Sequence, residues 1–194
     1  MILELLNSWA VSFDLPILEW IRANLTHPIL DKAMPIITML GDGGIFWIAL
    51  ALILLFRKKQ RKNGLAMLLA MLFGLIVCNV LLKPAVARIR PYDLQESMGD
   101  VIHLLIETPH DFSFPSGHTV SSFGAAVALV LGNRKLGILA LLVAILIAFS
   151  RLYLYVHFPT DVIASVILGT IFGIISHLIY HSITFSMKGK YLRK

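Results

Sequence analysis

Five long apolar stretches occupy 86 residues of this 194-residue chain and restrict the folds that it can adopt. They cover residues 35–56, 65–82, 119–131, 136–149 and 162–180. A membrane-spanning helix needs about 20 residues, and backbone groups in lipid must be hydrogen-bonded within the chain. The stretches therefore predict an all-α, polytopic transmembrane helix bundle of about five spans. Polar residues complete the two shortest spans at their outer ends.

The composition supports a membrane protein and excludes other classes. Hydrophobic residues make up 58% of the chain and charged residues 14%, whereas soluble domains carry about 25% charged residues. The length suits a single domain over residues 1–194. The lone cysteine, Cys78, provides neither a disulfide framework nor a zinc cluster.

The chain termini are predicted to lie outside the bundle, which covers residues 28–183. Apolar residues recur at helical spacing within residues 1–27, interrupted by four charged side chains. We interpret this segment as an interfacial amphipathic helix, with a helix packed on the bundle as the alternative. Residues 41–44, Gly-Asp-Gly-Gly, predict a break or kink in the first span.

The distribution of charge predicts the orientation. Eleven of the 17 basic residues lie in the loops at residues 57–62 and 134–135 and in the tail at residues 184–194, and none of the 11 acidic residues does. Basic loops mark the cytoplasmic side of a membrane protein. We therefore expect a multi-pass cell-membrane protein whose other loops face the extracytoplasmic side. Basic residues placed as membrane flanks also argue against a nucleic-acid partner.

Three polar clusters lie on the predicted outer side, where basic anchors are less favoured. A basic residue at the end of a span is most often an anchor, and Ser-Gly before a helix is most often a cap. These explanations apply to single residues and do not account for the convergence of all three clusters on one face. The clusters are Lys83 with Arg90 and Pro91, residues 115–118 (Pro-Ser-Gly-His), and Ser150-Arg151 with His157 and Asp161.

The residue types in these clusters suit phosphoryl transfer. Lys83, Arg90 and Arg151 can balance the charge of a phosphate, and the arginines can bind it through two hydrogen bonds. The Ser116 hydroxyl and the backbone N–H groups of Ser116 and Gly117 lie where the third span begins, and a helix N-terminus favours anions.

The histidines provide candidate catalytic groups. If the fifth span begins near His157, Asp161 lies on the same helical face and can orient the imidazole for attack on phosphorus. His118 is the candidate general acid for the leaving oxygen, and then the base for water.

The three clusters together resemble the motifs of the type-2 phosphatidic acid phosphatase (PAP2) superfamily, Lys-x6-Arg-Pro, Pro-Ser-Gly-His and Ser-Arg-x5-His-x3-Asp, matched at every position and spacing. The resemblance implies a membrane lipid phosphatase with His157 as nucleophile, Asp161 as its orienter and His118 as acid and base. It also implies phosphate binding by Lys83, Arg90, Ser116, Gly117 and Arg151, with no metal and no cofactor. The family often has six spans, one more than predicted here.

Several functions are compatible with this resemblance. A small outward-facing member is similar to phosphatases of undecaprenyl pyrophosphate, which we favour, and to those of phosphatidylglycerophosphate or phosphatidic acid. A non-catalytic protein that binds or transports anionic lipids is the alternative of another class. Vanadate-dependent haloperoxidases share the motifs, but those relatives are soluble.

Other polar residues are given no catalytic role. Arg88, outside the motifs, is interpreted as an auxiliary or anchoring residue. The acidic loop at residues 92–114 is interpreted as solvated, with a loop that shapes or covers the site as the alternative. His177 and His181 are four residues apart without a carboxylate nearby, so packing is expected rather than metal binding.

Overall fold

The structure, a computed structural model, describes the backbone of residues 2–191 and the side chains of residues 3–180. The backbone in that range is mostly helical and contains no strand. The prediction of an all-α bundle is thus confirmed. The described part does not include the side chains of the predicted basic tail, the last three residues of that tail or the side chain of His181.

The N-terminal segment forms α1 (Ile2–Trp9), a π-helical turn (Ala10–Asp14) and α2 (Leu15–Leu25). One face of this segment is buried in a cluster with the turn that follows the fourth apolar stretch. Buried members of this cluster are Ala10, Leu15, Leu18, Met34, Tyr92, Leu154, Tyr155, Val156 and Phe158. Trp9, Phe13 and Trp20 are exposed on the other side. The segment therefore has a bundle-facing side and an aromatic side of the type found at membrane interfaces.

The first predicted span is a pair of helices with a break between them. α3 (Pro28–Met39) and α4 (Ile45–Phe56) are joined through a 3₁₀ turn (Asp42–Gly44), and the pair is bent by 45°. Gly43 and Gly44 have φ angles of 56° and 67°, a region that glycine enters without steric cost. The predicted break at residues 41–44 is confirmed.

The other apolar stretches are also helical. α5 (Arg61–Phe73) continues through a π-helical segment (Gly74–Leu82) into α6 (Lys83–Val86), and α7 (Pro91–Ser97) follows. The last three apolar helices are α8 (Gly117–Gly132), α9 (Arg134–Tyr153) and α10 (Pro159–Tyr191).

The apolar helices differ in length. Within the described residues, three stretches are long and apolar enough to cross a membrane by length and composition, Arg61–Ser97, Arg134–Tyr153 and Pro159–Tyr180, and the bent pair can form a fourth. α8 has 16 residues and is about 24 Å long, shorter than a hydrocarbon core of about 30 Å. It packs against α5, α9 and α10, so neighbouring helices rather than lipid surround much of it.

Small residues on α8 and α10 allow the two helices to approach closely. A Cβ on Gly169 would lie 2.7 Å from the Val120 carbonyl oxygen, and one on Gly173 would lie 2.8 Å from that of Gly124. Close approach through small residues is a common way to pack helices in membranes.

This topology places all three polar clusters at one end of the bundle. α5 begins at one basic loop and continues through the π-helical segment to Lys83, and α9 begins at the other basic loop and ends near Arg151. α8 and α10 begin near Ser116 and Asp161. The polar clusters and the basic loops therefore lie at opposite ends of the helices.

We expect Gly173→Val to separate α8 from α10 and to lower the thermal unfolding midpoint in detergent, because the added atoms overlap the α8 backbone. Overpacking of this type costs about 1–3 kcal/mol. Ile174→Val, at a position with 40% exposure, is the matched control. Equal midpoints for the two variants would contradict the close packing.

Candidate active site

A cavity of about 880 Å³ lies at the end of the bundle that carries the polar clusters. Six of the eight predicted site residues line it, namely Lys83, Arg90, Gly117, His118, Arg151 and His157. The other two, Ser116 and Asp161, are fully buried and are not part of its lining. Residues separated by up to 74 positions in the sequence are thus brought around one cavity.

Arg90 connects three parts of the site. It immediately precedes α7, and its guanidinium Nη1 donates to the carbonyl oxygen of Val156 at 2.5 Å. The same Nη1 lies 3.4 Å from Nε2 of His157. Nη2 donates to Oδ1 of Asp111 at 2.5 Å, and Lys83 makes an ion pair with the same carboxylate. Arg90 therefore holds the turn that carries His157 beside the cavity.

Arg151 has a different environment. Its guanidinium is 3% exposed, donates from Nη1 to the Thr38 hydroxyl at 2.6 Å, and lies 3.5 Å from Nε2 of His118. Its Nε has no hydrogen-bond partner, and no ion pair to Arg151 is found among the side chains of residues 3–180. A buried charge without a counter-charge is unfavourable, so this guanidinium favours binding of an anion in the cavity.

His157 lies in the turn between α9 and α10 and is almost fully buried. Burial lowers the pKa of its imidazole well below the usual value, and the charges of Arg90, Arg151 and Lys83 lower it further. The ring is therefore neutral at physiological pH. A neutral ring has the free lone pair that nucleophilic attack requires.

The relation between His157 and Asp161 differs from the prediction. α10 begins at Pro159, so His157 lies two residues before the helix. Nδ1 of His157 lies 3.7 Å from Oδ2 of Asp161, beyond hydrogen-bond distance, and has no other partner. Asp161 accepts instead from the backbone N–H of Phe158 at 3.0 Å and from the Ser113 hydroxyl.

Ser116 also differs from the prediction. It caps α8, which begins at Gly117, but its backbone N–H donates to the Ser165 hydroxyl at 2.8 Å. That N–H is therefore not free to bind an anion. Gly117 lines the cavity, and a Cβ at this position would lie 3.1 Å from the Asn79 side-chain oxygen.

Arg88 proves to be fully buried, not an anchor at the membrane surface. It donates to Asp161 at 2.5 Å, to Asp14 at 2.7 Å and to the Leu6 carbonyl oxygen at 2.8 Å. Its guanidinium also lies 3.9 Å from the centre of the Phe158 ring. The N-terminal segment is thereby joined to the carboxylate behind His157, a contact that sequence reasoning missed.

The loop before α8 is likewise not simply solvated, since it carries Asp111. The Asp111 side chain is 55% exposed while it contacts Lys83 and Arg90. Partial burial raises the pKa of this carboxyl, but the two cations outweigh that effect and lower the pKa to about 2. Asp111 is thus charged at physiological pH and is paired with Lys83 and Arg90, two of the cations that were predicted to bind phosphate.

Within residues 3–180, no cluster of three or more His, Cys, Asp or Glu side chains is arranged to hold a metal ion.

Comparisons with known proteins agree with this geometry. The sequence profile of the PAP2 superfamily matches residues 63–185. An undecaprenyl-diphosphatase from Sulfolobus acidocaldarius is 34% identical over 119 residues, which cover 61% of this chain and 55% of that relative's length.

Two solved structures share the fold. The crystal structure of Aquifex aeolicus LpxE superposes with a TM-score of 0.68 at 29% identity, covering 84% of this chain and 93% of the other. The PAP2-type phosphatidylglycerolphosphate phosphatase from Bacillus subtilis gives a TM-score of 0.64 at 29% identity, covering 81% and 80% of the two chains.

We expect Arg88→Ala to lower the thermal unfolding midpoint strongly, because it leaves the carboxylates of Asp14 and Asp161 buried without a counter-charge. Removing one partner of a buried ion pair costs about 3–5 kcal/mol. Arg22→Ala is the matched control, because Arg22 pairs with Asp100 at the surface and such pairs contribute about 0–1 kcal/mol. An unfolding midpoint for Arg88→Ala as high as that of the control would show that the buried ion pairs of Arg88 contribute little to stability.

Proposed function

The chain belongs to the PAP2 superfamily, and from this premise we propose that it is a membrane phosphatase that removes the terminal phosphate of a lipid. The observation that carries the proposal is the convergence of three cations and two imidazoles on one cavity. The cations are Lys83, Arg90 and Arg151, and the imidazoles are those of His118 and His157. Cations alone would suffice to bind an anion, whereas the histidines add a nucleophile and a proton donor.

In the proposed first step, Nε2 of His157 attacks phosphorus while the bond from phosphorus to the lipid oxygen breaks. The leaving oxygen takes a proton from His118. Lys83, Arg90 and Arg151 stabilise the negative charge on the equatorial oxygens of the transferring group.

In the second step, His118 removes a proton from a water molecule, whose oxygen attacks the phosphohistidine. The phosphorus–nitrogen bond breaks, inorganic phosphate leaves and His157 returns to the neutral state. Asp161, held by Arg88, provides the negative charge behind His157 that stabilises the positively charged phosphohistidine ring.

The remaining walls of the cavity support a lipid as substrate. Apolar side chains of the first two spans line it, including Met39, Ile48, Leu72 and Leu75. All of these except Ile48 are more than 40% exposed. A charged inner end and an apolar outer wall match a molecule with an anionic head and a hydrocarbon tail.

We place the site on the extracytoplasmic side of the cell membrane. The two basic loops lie at the end of the bundle opposite the cavity, and basic loops remain in the cytoplasm. This assignment depends on the charge distribution rather than on the geometry of the site.

For the substrate we favour undecaprenyl pyrophosphate, supported by the relative named undecaprenyl-diphosphatase. The similarity to a phosphatidylglycerolphosphate phosphatase of known structure keeps phosphatidylglycerophosphate and phosphatidic acid as the second candidates. A protein that only binds or transports anionic lipids would not need the neutral, buried imidazole of His157.

We expect purified wild-type protein in detergent to release phosphate faster from undecaprenyl pyrophosphate than from phosphatidylglycerophosphate or phosphatidic acid. His157→Ala should lower that release by several powers of ten, because it removes the nucleophile. His103→Ala, on an exposed loop, is the matched control. Lipid binding without phosphate release by the wild type would favour the transport alternative.

We expect Asp111→Asn to tighten inhibition by orthovanadate by about tenfold, or roughly 1.4 kcal/mol, because the neutral amide competes less strongly for Lys83 and Arg90. The inhibition constant is measured against phosphate release. Asp100→Asn, which changes a carboxylate outside the cavity, is the control. An unchanged or weaker inhibition in Asp111→Asn would show that this carboxylate does not compete with bound anions.

A further inference from the structure

The break in the first span contacts the predicted general acid. Oδ1 of Asp42 lies 2.7 Å from Nε2 of His118. An ionised carboxylate can only accept a hydrogen bond, so this contact places a proton on Nε2. Asp42 belongs to none of the three motifs. It lies in the break between two apolar helices, lines the cavity, and has a side chain that is 56% exposed.

A second observation concerns the residue before Asp42. A Cβ on Gly41 would lie 2.5 Å from Cδ2 of His118 and 3.0 Å from Cγ2 of Ile147. The main chain of the break therefore passes against the imidazole, at a distance that excludes any side chain. The left-handed conformations of Gly43 and Gly44 then return the chain into α4. The break thus fixes the ring through both a backbone contact and a hydrogen bond.

Arg151 is the other group near the same nitrogen, with Nη1 at 3.5 Å from Nε2. A guanidinium only donates, so Arg151 would favour an unprotonated Nε2, opposite to the effect of Asp42. The Asp42 contact is 0.8 Å shorter, and it therefore sets the tautomer of the ring.

We propose that Asp42 is a positioning residue for His118, which holds the proton on Nε2 and leaves Nδ1 to exchange protons in the reaction. In the first step, the anionic phosphate offsets the charge of Arg151 and allows the ring to be doubly protonated, and Nδ1–H then passes its proton to the leaving oxygen. In the second step, Nδ1 takes a proton from the attacking water. This inference rests on the proposed phosphatase function and adds to it a residue from the first span.

The test compares two substrates that differ in their need for a proton donor. The leaving group of a long-chain alkyl phosphate is an alkoxide, which is a poor leaving group unless it is protonated. The leaving group of a nitrophenyl phosphate is a stable phenolate, which needs little protonation. The quantity compared is kcat/KM, which includes cleavage of the phosphorus–oxygen bond but not the later hydrolysis of phosphohistidine.

We expect Asp42→Asn to lower kcat/KM for the alkyl phosphate by about 10²-fold and for the nitrophenyl phosphate by less than about threefold. An asparagine amide can donate to Nε2 and so favour the wrong tautomer, as in the aspartate-to-asparagine change of a serine-protease triad. Asp42→Glu, which keeps the carboxylate, should recover part of the activity toward the alkyl phosphate. Asp100→Asn should leave both values unchanged.

Equal losses with the two substrates would overturn the proposal, because they would indicate a structural role for Asp42. Unchanged values for Asp42→Asn would also overturn it while leaving the phosphatase function intact. A wild-type protein that hydrolyses neither substrate nor any of the lipid phosphates would reject the phosphatase function itself, and the role of Asp42 with it.

Discussion

The structure depends on how positive charges are neutralised at one end of an apolar helical bundle. Each buried cation there would be strongly unfavourable alone, and carboxylates from distant parts of the chain offset most of that cost. Arg88 is enclosed with Asp14 and Asp161, and all three side chains are fully buried. Lys83 and Arg90 share Asp111, whose side chain is 55% exposed.

These two arrangements suit different roles. A fully buried ion pair cannot open without a large penalty, so Arg88 belongs to the permanent framework. An exposed carboxylate can be replaced by another anion at little cost, because water solvates it when it leaves. Arg151, without a carboxylate partner among the described residues, complements this exchangeable pair. The site therefore combines a fixed inner layer with an outer layer that a phosphate can enter.

The sequence predicted the elements of the site more accurately than their contacts. The three ordered motifs identified most of the residues around the cavity, because each motif lies at the end of an apolar helix and these ends meet at the cavity. The break at residues 41–44 was also predicted, because glycine-rich segments interrupt helices. Asp161 lies beside His157 as expected, at 3.7 Å, but without the expected hydrogen bond, because its Oδ2 accepts from the Phe158 backbone N–H and the Ser113 hydroxyl.

Three aspartates of the site, Asp14, Asp42 and Asp111, were not predicted, and all three were missed for the same physical reason. They meet their ionisable partners across 21 to 76 positions in sequence, and no local periodicity reports such contacts. A signal was present for Asp42, because a lone carboxylate inside an apolar stretch is expected to have a function. For Asp111, one acidic residue among several in a loop gave no such distinction.

The apolar side of the cavity has a kinetic consequence. A lipid substrate of the proposed kind, with its tail in the bilayer, would reach Met39 and Leu75 by lateral diffusion in two dimensions, so its bulk molarity would have little meaning. Turnover would then follow the mole fraction of the substrate in the membrane, and inert lipid would slow the enzyme by surface dilution at constant total substrate. The bilayer would in this way act as the compartment in which substrate concentration is set.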